Sequence, residues 1–207
     1  MRPVNGFDRL APFYDWLTQM VYGSAIRKSQ IRFLRAIPPD CKVLILGGGT
    51  GWILPELFLL RPDCEVWYID SSEKMLDIAQ RRNTGDRIHF MLGTTADIPA
   101  ERFDVIMTFF FLDLFSPMTL EKMISEIRFA AKPIVLWLAA DFTNGKKWWQ
   151  KFLLRIMYQF FRSTCHIEAR RLPDWGRFIE QAGFERIDVD DFYAGFIESA
   201  AYCSIRK

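Results

Sequence analysis

The chain has 207 residues, half of them apolar and 15% aromatic, and its formal net charge is +2. A composition this apolar excludes a disordered chain, and a chain of this length can bury a core without disulfide bonds. The near balance of charges gives no reason to expect a nucleic-acid partner.

The four cysteines show neither a C-x-x-C pair nor a spacing typical of zinc sites; they are Cys41, Cys64, Cys165 and Cys203. We therefore expect reduced thiols in a cytoplasmic protein, and no metal site. The N-terminal residues lack the apolar run of a secretion signal. No apolar stretch approaches the roughly 20 residues that span a bilayer.

Helical patterns come first in the chain, at residues 10–22 and 25–36. Short apolar runs follow and predict strands at residues 42–46, 65–70, 88–92, 103–109 and 134–140. Between these runs, apolar residues at three- and four-residue spacing predict helices at 52–60, 72–82 and 118–131. Continuous apolar strands that alternate with helices favour a parallel sheet with helices on both faces.

The pattern changes in the last third of the chain. Residues 143–162 predict one long helix rich in aromatic side chains, and residues 173–182 predict a shorter one. Residues 186–192 and 197–205 predict two strands that form an antiparallel hairpin around Gly195. Because no linker divides the chain, we expect a single α/β domain over residues 1–207, with a seven-stranded, mostly parallel sheet that ends in this hairpin.

A glycine-rich turn follows the first predicted strand and consists of Gly47, Gly48, Gly49, Thr50 and Gly51. Glycine permits positive φ and a close approach of ligand to backbone, and the next helix offers free N–H groups at its N-terminus. Such a turn can hold a carboxylate or a phosphate. The dinucleotide pattern needs a glycine where Trp52 stands, and no Walker-type lysine follows, so both of these patterns are excluded.

An acid stands at the end of the next predicted strand, at Asp70. A carboxylate at this place can accept hydrogen bonds from two ribose hydroxyls. The turn, its flanking strand and helix, and this distant acid together predict a site for an adenosine-containing ligand.

These segments resemble the motifs of class I S-adenosylmethionine-dependent methyltransferases. VLILGGGTG resembles the family's first motif, and YIDSSEKMLDIAQRR resembles its second. The later segments of this chain that resemble the family's segments around strands three, four, five and six are, in that order, IHFMLGTTADIP, FDVIMTFFFLDLF, RFAAKPIVLWLAADF and FIEQAGFERIDV. The resemblance implies a Rossmann-like fold with S-adenosylmethionine as cofactor. It implies cofactor contacts by the glycine turn and by Asp70, Ser71, Met75, Thr94, Thr95 and Phe109.

The N-terminal segment FDRLAPFYDWLTQMVYG resembles the tyrosine–aspartate segment of the ubiquinone and menaquinone methyltransferases. In that branch the segment closes over the cofactor. The resemblance therefore implies that residues 1–40 form a helical lid and that Tyr14 contacts the cofactor.

Two positions depart from the family pattern. Ile45 stands where the family usually has an acid that organises the methionine amino group, and Thr94 stands where many relatives have an acid that contacts the adenine amino group. Thr94, Thr95 or Asp97 could take the second role. These departures leave open a catalytically inactive S-adenosylmethionine-binding protein of the same fold.

Methyl transfer from a sulfonium needs an aligned nucleophile and the exclusion of water, and an oxygen nucleophile also needs a base. Asp113, in the loop after the fourth strand, is the candidate base or substrate anchor; it could equally cap the next helix or face solvent. Phe110, Phe115 and Trp148 are candidate substrate-binding residues, and they indicate a small hydrophobic or aromatic acceptor.

The segment 146–162 has one narrow polar stripe on an otherwise apolar helix, formed by Lys147, Lys151, Arg155, Gln159 and Arg162. Three interpretations are open: a helix packed on the domain with basic side chains at its edge, a cap of residues 143–170 over an apolar pocket, and an interfacial helix that makes peripheral contact with a membrane. Of the two histidines, His89 favours a structural role, and His166 could reach the pocket if the helix is a cap.

The leading hypothesis is S-adenosylmethionine-dependent methyl transfer to a small-molecule acceptor, by a monomer or a homodimer that binds no nucleic acid. The inactive binding protein is the alternative. Trp52 disfavours a nucleotide-dependent oxidoreductase. A nucleic-acid methyltransferase lacks support, because the chain has neither an added basic domain nor an Asn-Pro-Pro-Tyr type of motif.

Overall fold

The structure of the protein is a computed structural model that describes residues 6–12, 20–83, 85–165 and 167–204, without the side chain of Arg9. The strands are β1 Lys42–Leu46, β2 Glu65–Asp70, β3 Ile88–Leu92, β4 Phe103–Phe109, β5 Ala131–Phe142, β6 Phe184–Phe192 and β7 Ile197–Ser204. These seven strands form one sheet in the order β3-β2-β1-β4-β5-β7-β6. The first five strands run parallel, and β7 pairs antiparallel with β5 and β6. The predicted parallel sheet with a closing hairpin is confirmed.

The helices whose two ends lie within the described residues are α1 Gly6–Leu10, α2 Ala25–Ile31, α3 Ile53–Leu60, α4 Glu73–Arg82, α5 Pro117–Ala130, α6 Trp148–Cys165 and α7 Trp175–Gln181. Short 3-10 turns lie at Leu34–Ala36, Thr95–Asp97 and Leu112–Leu114. Two helices begin at serine caps, because Ser72 Oγ accepts a hydrogen bond from the Met75 N–H at the start of α4 and Ser116 Oγ accepts one from the Thr119 N–H at the start of α5.

Helices cover both faces of the sheet. Successive side chains of a strand point to opposite faces. In β1, Val43 and Ile45 pack with α3 and α4 on one face, whereas Leu44 and Leu46 pack with α5 and α7 on the other. This burial on both sides explains why the central strands are continuously apolar rather than alternating.

Several boundaries differ from the sequence prediction because tertiary contacts override periodicity. β5 begins at Ala131 rather than at residue 134, because Ala131 pairs with Phe103 of β4 as soon as α5 ends. α6 begins at Trp148 rather than at residue 143 and ends at Cys165. Residues 143–147 form a loop instead, in which Thr143 Oγ1 donates to the Gly195 carbonyl at 2.7 Å.

The second N-terminal helix is shorter than predicted, and the first is only partly described. α1 ends at Leu10, and residues 13–19 of the predicted helix 10–22 lie outside the described residues. α2 ends at Ile31, and the chain then makes a separate 3-10 turn at Leu34–Ala36. The described part of the chain contains no helix long and apolar enough to cross a membrane.

Candidate active site

A cavity of about 460 Å³ lies at the carboxyl ends of β1, β2 and β4. Because the chain leaves β1 toward β2 on one side and β4 lies on the other, this is the switch point at which open α/β sheets bind ligands. Twelve residues singled out from the sequence line it: Gly47, Gly48, Gly49, Thr50, Asp70, Ser71, Met75, Thr94, Thr95, Phe109, Phe110 and Phe115.

The glycine turn needs glycine for two physical reasons. Gly47 and Gly49 have φ of +62° and +65°, a region that side chains with a Cβ rarely adopt. Gly48 lies against the ring of Tyr68, which a Cβ would overlap. The hydroxyl of Tyr68 donates to the Gly49 carbonyl at 3.0 Å, so the ring also supports the turn. Gly51 does not line the cavity; a Cβ there would lie 2.8 Å from that of Ala79 in α4.

Asp70 ties the glycine turn to the start of α4. Its Oδ2 accepts a hydrogen bond from the Gly49 N–H at 2.8 Å, and its Oδ1 accepts one from the Ser72 N–H at 2.8 Å. Burial raises the pKa of Asp70, and the two N–H groups partly oppose that rise. Because each carboxylate oxygen can accept a further hydrogen bond, Asp70 keeps acceptor capacity toward the cavity that it lines.

α1 lies at the edge of the cavity and bridges α4 and α6. Asp8 Oδ1 accepts hydrogen bonds from Ser72 Oγ at 2.6 Å and from the Lys74 N–H at 3.3 Å. Gly6 packs so closely on the backbone of Cys165 that a Cβ would overlap it. Phe7, between these two contacts, lines the cavity.

A carboxylate from α5 faces the turn that follows β3. Thr94 and Asp97 are engaged with each other, since Asp97 Oδ2 accepts from the Thr94 N–H at 2.8 Å. Thr95 Oγ1 instead donates to Glu126 Oε2 at 2.6 Å, and Glu126 lines the cavity. Sequence reasoning missed Glu126, because it lies in a helix whose periodicity indicates only a core-packing role.

The far end of the cavity is aromatic. Phe110, Phe111 and Phe115 line it, and the rings of the last two are 5.0 Å apart. Phe110 has a φ of +51°, and its N–H donates to the Ala140 carbonyl at 2.7 Å. Positive φ in a bulky residue is uncommon and concentrates at ligand sites.

Polar groups border this aromatic end. Thr119 Oγ1 donates to Glu168 Oε2 at 2.6 Å, and both residues line the cavity. On another side of the cavity the Arg27 guanidinium lies 5.1 Å from the ring centre of Trp52. Glu168 and Arg27 were not singled out from the sequence, because neither belongs to a recognisable spacing.

Asp113 does not line the cavity, which corrects the expectation that it faces the acceptor. Only 3% of its surface is exposed, and its Oδ1 has no hydrogen-bond partner among the described residues. The 3-10 turn after β4 directs it toward Asp141, whose Oδ2 accepts from the N–H groups of Leu112 and Asp113 at 3.1 Å. Asp141 Oδ1 accepts from the Phe142 N–H at 2.8 Å.

The two carboxyl groups share a buried site. Burial raises the pKa of Asp113 well above its usual range, and the charge of Asp141 and a hydrogen bond with it raise it further. Burial also raises the pKa of Asp141, to about 7, although its N–H donors oppose the rise. Because Asp141 has those donors and Asp113 has none on Oδ1, the proton of the pair belongs on Asp113.

Two other described residues that were singled out from the sequence do not line the cavity. Trp148 is 80% exposed and not part of the lining, because α6 turns its other side to the domain. His89 Nε2 lies 2.7 Å from Glu65 Oε1 across neighbouring strands, a surface contact. Tyr14 and His166 lie outside the described residues.

The sheet order and the cavity at its switch point define a Rossmann-like α/β protein with a glycine-turn ligand site. Residues 43–134 match the sequence model of a family described as a methyltransferase domain. Over 96 residues the chain is 34% identical to a demethylmenaquinone methyltransferase of Thermotoga maritima. That match covers 45% of this chain and 41% of the relative, which is less than half of its length.

Solved structures are similar over a longer range. A chain from the Haloferax volcanii complex of the Trm112 methyltransferase activator with a methyltransferase matches with a TM-score of 0.75 at 15% identity, covering 97% of this chain and 98% of that one. A Burkholderia thailandensis 1,6-didemethyltoxoflavin-N1-methyltransferase, solved with S-adenosylhomocysteine, matches with a TM-score of 0.69 at 15% identity, covering 96% and 86%. At this identity the likeness concerns the fold.

Proposed function

We propose that the protein transfers a methyl group from S-adenosylmethionine to a small hydrophobic or aromatic acceptor. The observation that carries the proposal is the continuity of one cavity, which joins the glycine turn and Asp70 to the aromatic wall of Phe110 and Phe115. The methyltransferase-domain match over residues 43–134 supports the same reaction class. S-adenosylmethionine would supply a methyl group that is already activated by the sulfonium.

The cofactor end fits this ligand. The backbone of Gly47–Gly49 lies open to the cavity where any Cβ would be strained or blocked, which suits a close approach of the methionine carboxylate. Asp70 accepts hydrogen bonds from the ribose hydroxyls with its remaining lone pairs. Ser71, Met75 and Phe109 pack around the nucleoside from the carboxyl ends of β2 and β4.

We assign Glu126 and Thr95 to the recognition of the adenine amino group. A carboxylate oxygen of Glu126 accepts from that amino group, and Thr95 orients the carboxylate through its 2.6 Å hydrogen bond. This pair stands in for the acid that the family usually has at the position of Thr94.

Two segments outside the central sheet contribute residues to the wall of the cavity. Phe7, Ile26 and Gln30, from the segment 1–40, line it, as do Cys165 and Ile167 from the segment 143–170. We assign these two segments as the lid and the cap, since together they shield the reacting groups from water. Glu168, with its 2.6 Å contact to Thr119, replaces Asp113 as the group that accepts a proton from an acceptor hydroxyl.

Transfer of label from methyl-labelled S-adenosylmethionine tests the reaction. The protein is incubated with libraries of small phenols, quinols and heteroaromatic amines, and products are separated by chromatography. We expect label in an apolar product, and a Glu168→Gln variant about 100-fold slower if the acceptor atom is oxygen. Calorimetric binding of S-adenosylhomocysteine without label transfer to any compound would instead support a binding protein.

Replacement of Glu126 by Gln tests the adenine contact. We expect S-adenosylhomocysteine to bind about tenfold more weakly, because a charged acceptor is lost from the adenine amino group. The affinity for S-inosylhomocysteine, in which a carbonyl replaces that amino group, should change little in the variant. Glu121→Gln on the exposed side of the same helix is the control. An equal loss for both ligands would contradict the assignment.

A further inference from the structure

α6 has an apolar stripe that the domain does not cover. Its packed side uses Gln150, Leu154, Met157 and Tyr158. On the outer side, four large apolar side chains recur every four residues: Trp148, Phe152, Ile156 and Phe160, with 80%, 60%, 49% and 37% of their surface exposed. Residues four apart lie on one side of a helix, so the stripe is continuous.

Five cations line a groove beside this stripe: Lys151, Arg155, Arg162, Arg170 and Arg171. The first three belong to α6 and the other two to the loop that follows it. Arg155 lies three residues after Phe152 and seven after Trp148, so the basic and apolar side chains adjoin. Within the part of the chain that the structure describes, no carboxylate forms an ion pair with any of the five.

We propose that this exposed face of α6 binds the surface of an anionic phospholipid bilayer. The apolar stripe enters the boundary between headgroups and acyl chains, and the five cations contact lipid phosphates. Tryptophan at the end of the stripe suits this boundary, where its ring prefers to lie. A nucleic-acid duplex would contact the cations through its phosphates and leave the four apolar side chains in water, so the combination favours a bilayer.

The bound helix is contiguous with the candidate active site. Cys165 is the last residue of α6 and lines the cavity, as do Ile167 and Glu168 just beyond it. Docking of α6 therefore brings the aromatic end of the cavity close to the layer in which hydrophobic acceptors dissolve. This consequence rests on the proposed methyl transfer, whereas the binding of the bilayer itself does not.

Sedimentation of the full chain with vesicles tests the surface. One set of vesicles is phosphatidylcholine alone, and the other contains equal amounts of phosphatidylcholine and phosphatidylglycerol. We expect binding only to the second set. Replacement of Lys151, Arg155 and Arg162 by Gln should weaken it about 100-fold, at about fivefold for each cation near the surface. Replacement of Trp148 and Phe152 by Ser should also weaken it about 100-fold.

The matched control variants replace exposed residues on other parts of the surface. The charge control is a triple variant in which Gln replaces Lys28, Arg35 and Arg81. The apolar control is a double variant in which Ser replaces Leu59 and Met118. Neither should change vesicle binding. The affinity for S-adenosylhomocysteine should be the same in all variants, because none of the replaced side chains lines the cavity; this measurement also separates a failure of this surface from a failure of the proposed reaction.

Three results would overturn the proposal. Absence of binding to the anionic vesicles is the first. The second is undiminished binding in the Trp148 and Phe152 double variant, which would show charge attraction without insertion. The third is tighter binding of single-stranded RNA than of vesicles, lost in the triple cation variant, which would assign the groove to nucleic acid.

Discussion

Asp70→Ala is expected to weaken the binding of S-adenosylhomocysteine by at least about 100-fold in calorimetry. Two losses combine. The ribose hydroxyls lose a charged acceptor, and hydrogen bonds to charged groups contribute about 1.5–3 kcal/mol each. The Gly49 N–H, 2.8 Å from Asp70 Oδ2, also loses its acceptor, so the glycine turn is no longer fixed in its binding geometry.

Asp77→Ala is the matched control, since Asp77 is an exposed carboxylate on α4. It should bind like the unmodified protein. Because burial raises the pKa of Asp70, affinity should fall as the pH decreases through that raised pKa, when the carboxylate becomes protonated. An Asp70→Ala variant with unchanged affinity would refute the ribose contact.

Asp141→Ala is expected to lower the free energy of unfolding by about 3–5 kcal/mol, measured by urea denaturation. The carboxylate accepts hydrogen bonds from the N–H groups of Leu112, Asp113 and Phe142, and all three donors are left buried without an acceptor. Each unsatisfied buried donor costs about 1–3 kcal/mol, and local rearrangement recovers part of that loss. A loss below about 1 kcal/mol would contradict this role.

Asp113→Asn, in contrast, is expected to raise the free energy of unfolding at alkaline pH. Both carboxyl pKa values are raised in the folded protein, so the folded state binds more protons than the unfolded state above about pH 4. The contribution of this pair to stability is therefore fully present at low pH and is lost as the pH rises through the raised pKa values, by about 1.4 kcal/mol per pH unit for each extra proton held. The Asn variant removes the repulsion, so its stability should depend less on pH. Equal slopes in both proteins would contradict a shared buried proton.

The central sheet could be predicted from the sequence because its signal is local. Strands β1, β2 and β4 are apolar runs whose two faces are both buried, so no partner has to be known to recognise them. The run of β1 stops at a glycine, and that of β2 ends on an acid. Glycine is needed at positions 47 and 49 because of the backbone itself, and Asp70 ends a strand whose place in the sheet follows from its order in the chain.

The errors concern residues whose surroundings come from distant parts of the chain. Asp113 lies in a loop of the expected kind, but its direction is set by Asp141 at the end of β5, 28 residues later. The periodicity of α6 marks two apolar sides, and only the docked helix shows that Leu154 and Met157 face the domain while Trp148 does not. Glu126 is found only when α5 lies beside Thr95.

The position of α1 between α4 and α6 has a thermodynamic consequence. Through Asp8 it holds the helix that follows Asp70, and through Gly6 it holds the end of the helix with the exposed apolar stripe. Two ligands that both favour this docked arrangement are linked, and linkage is reciprocal. We therefore expect S-adenosylhomocysteine to raise the affinity for anionic vesicles by the same factor as vesicles raise the affinity for S-adenosylhomocysteine. In an Asp8→Ala variant, both factors should fall toward one.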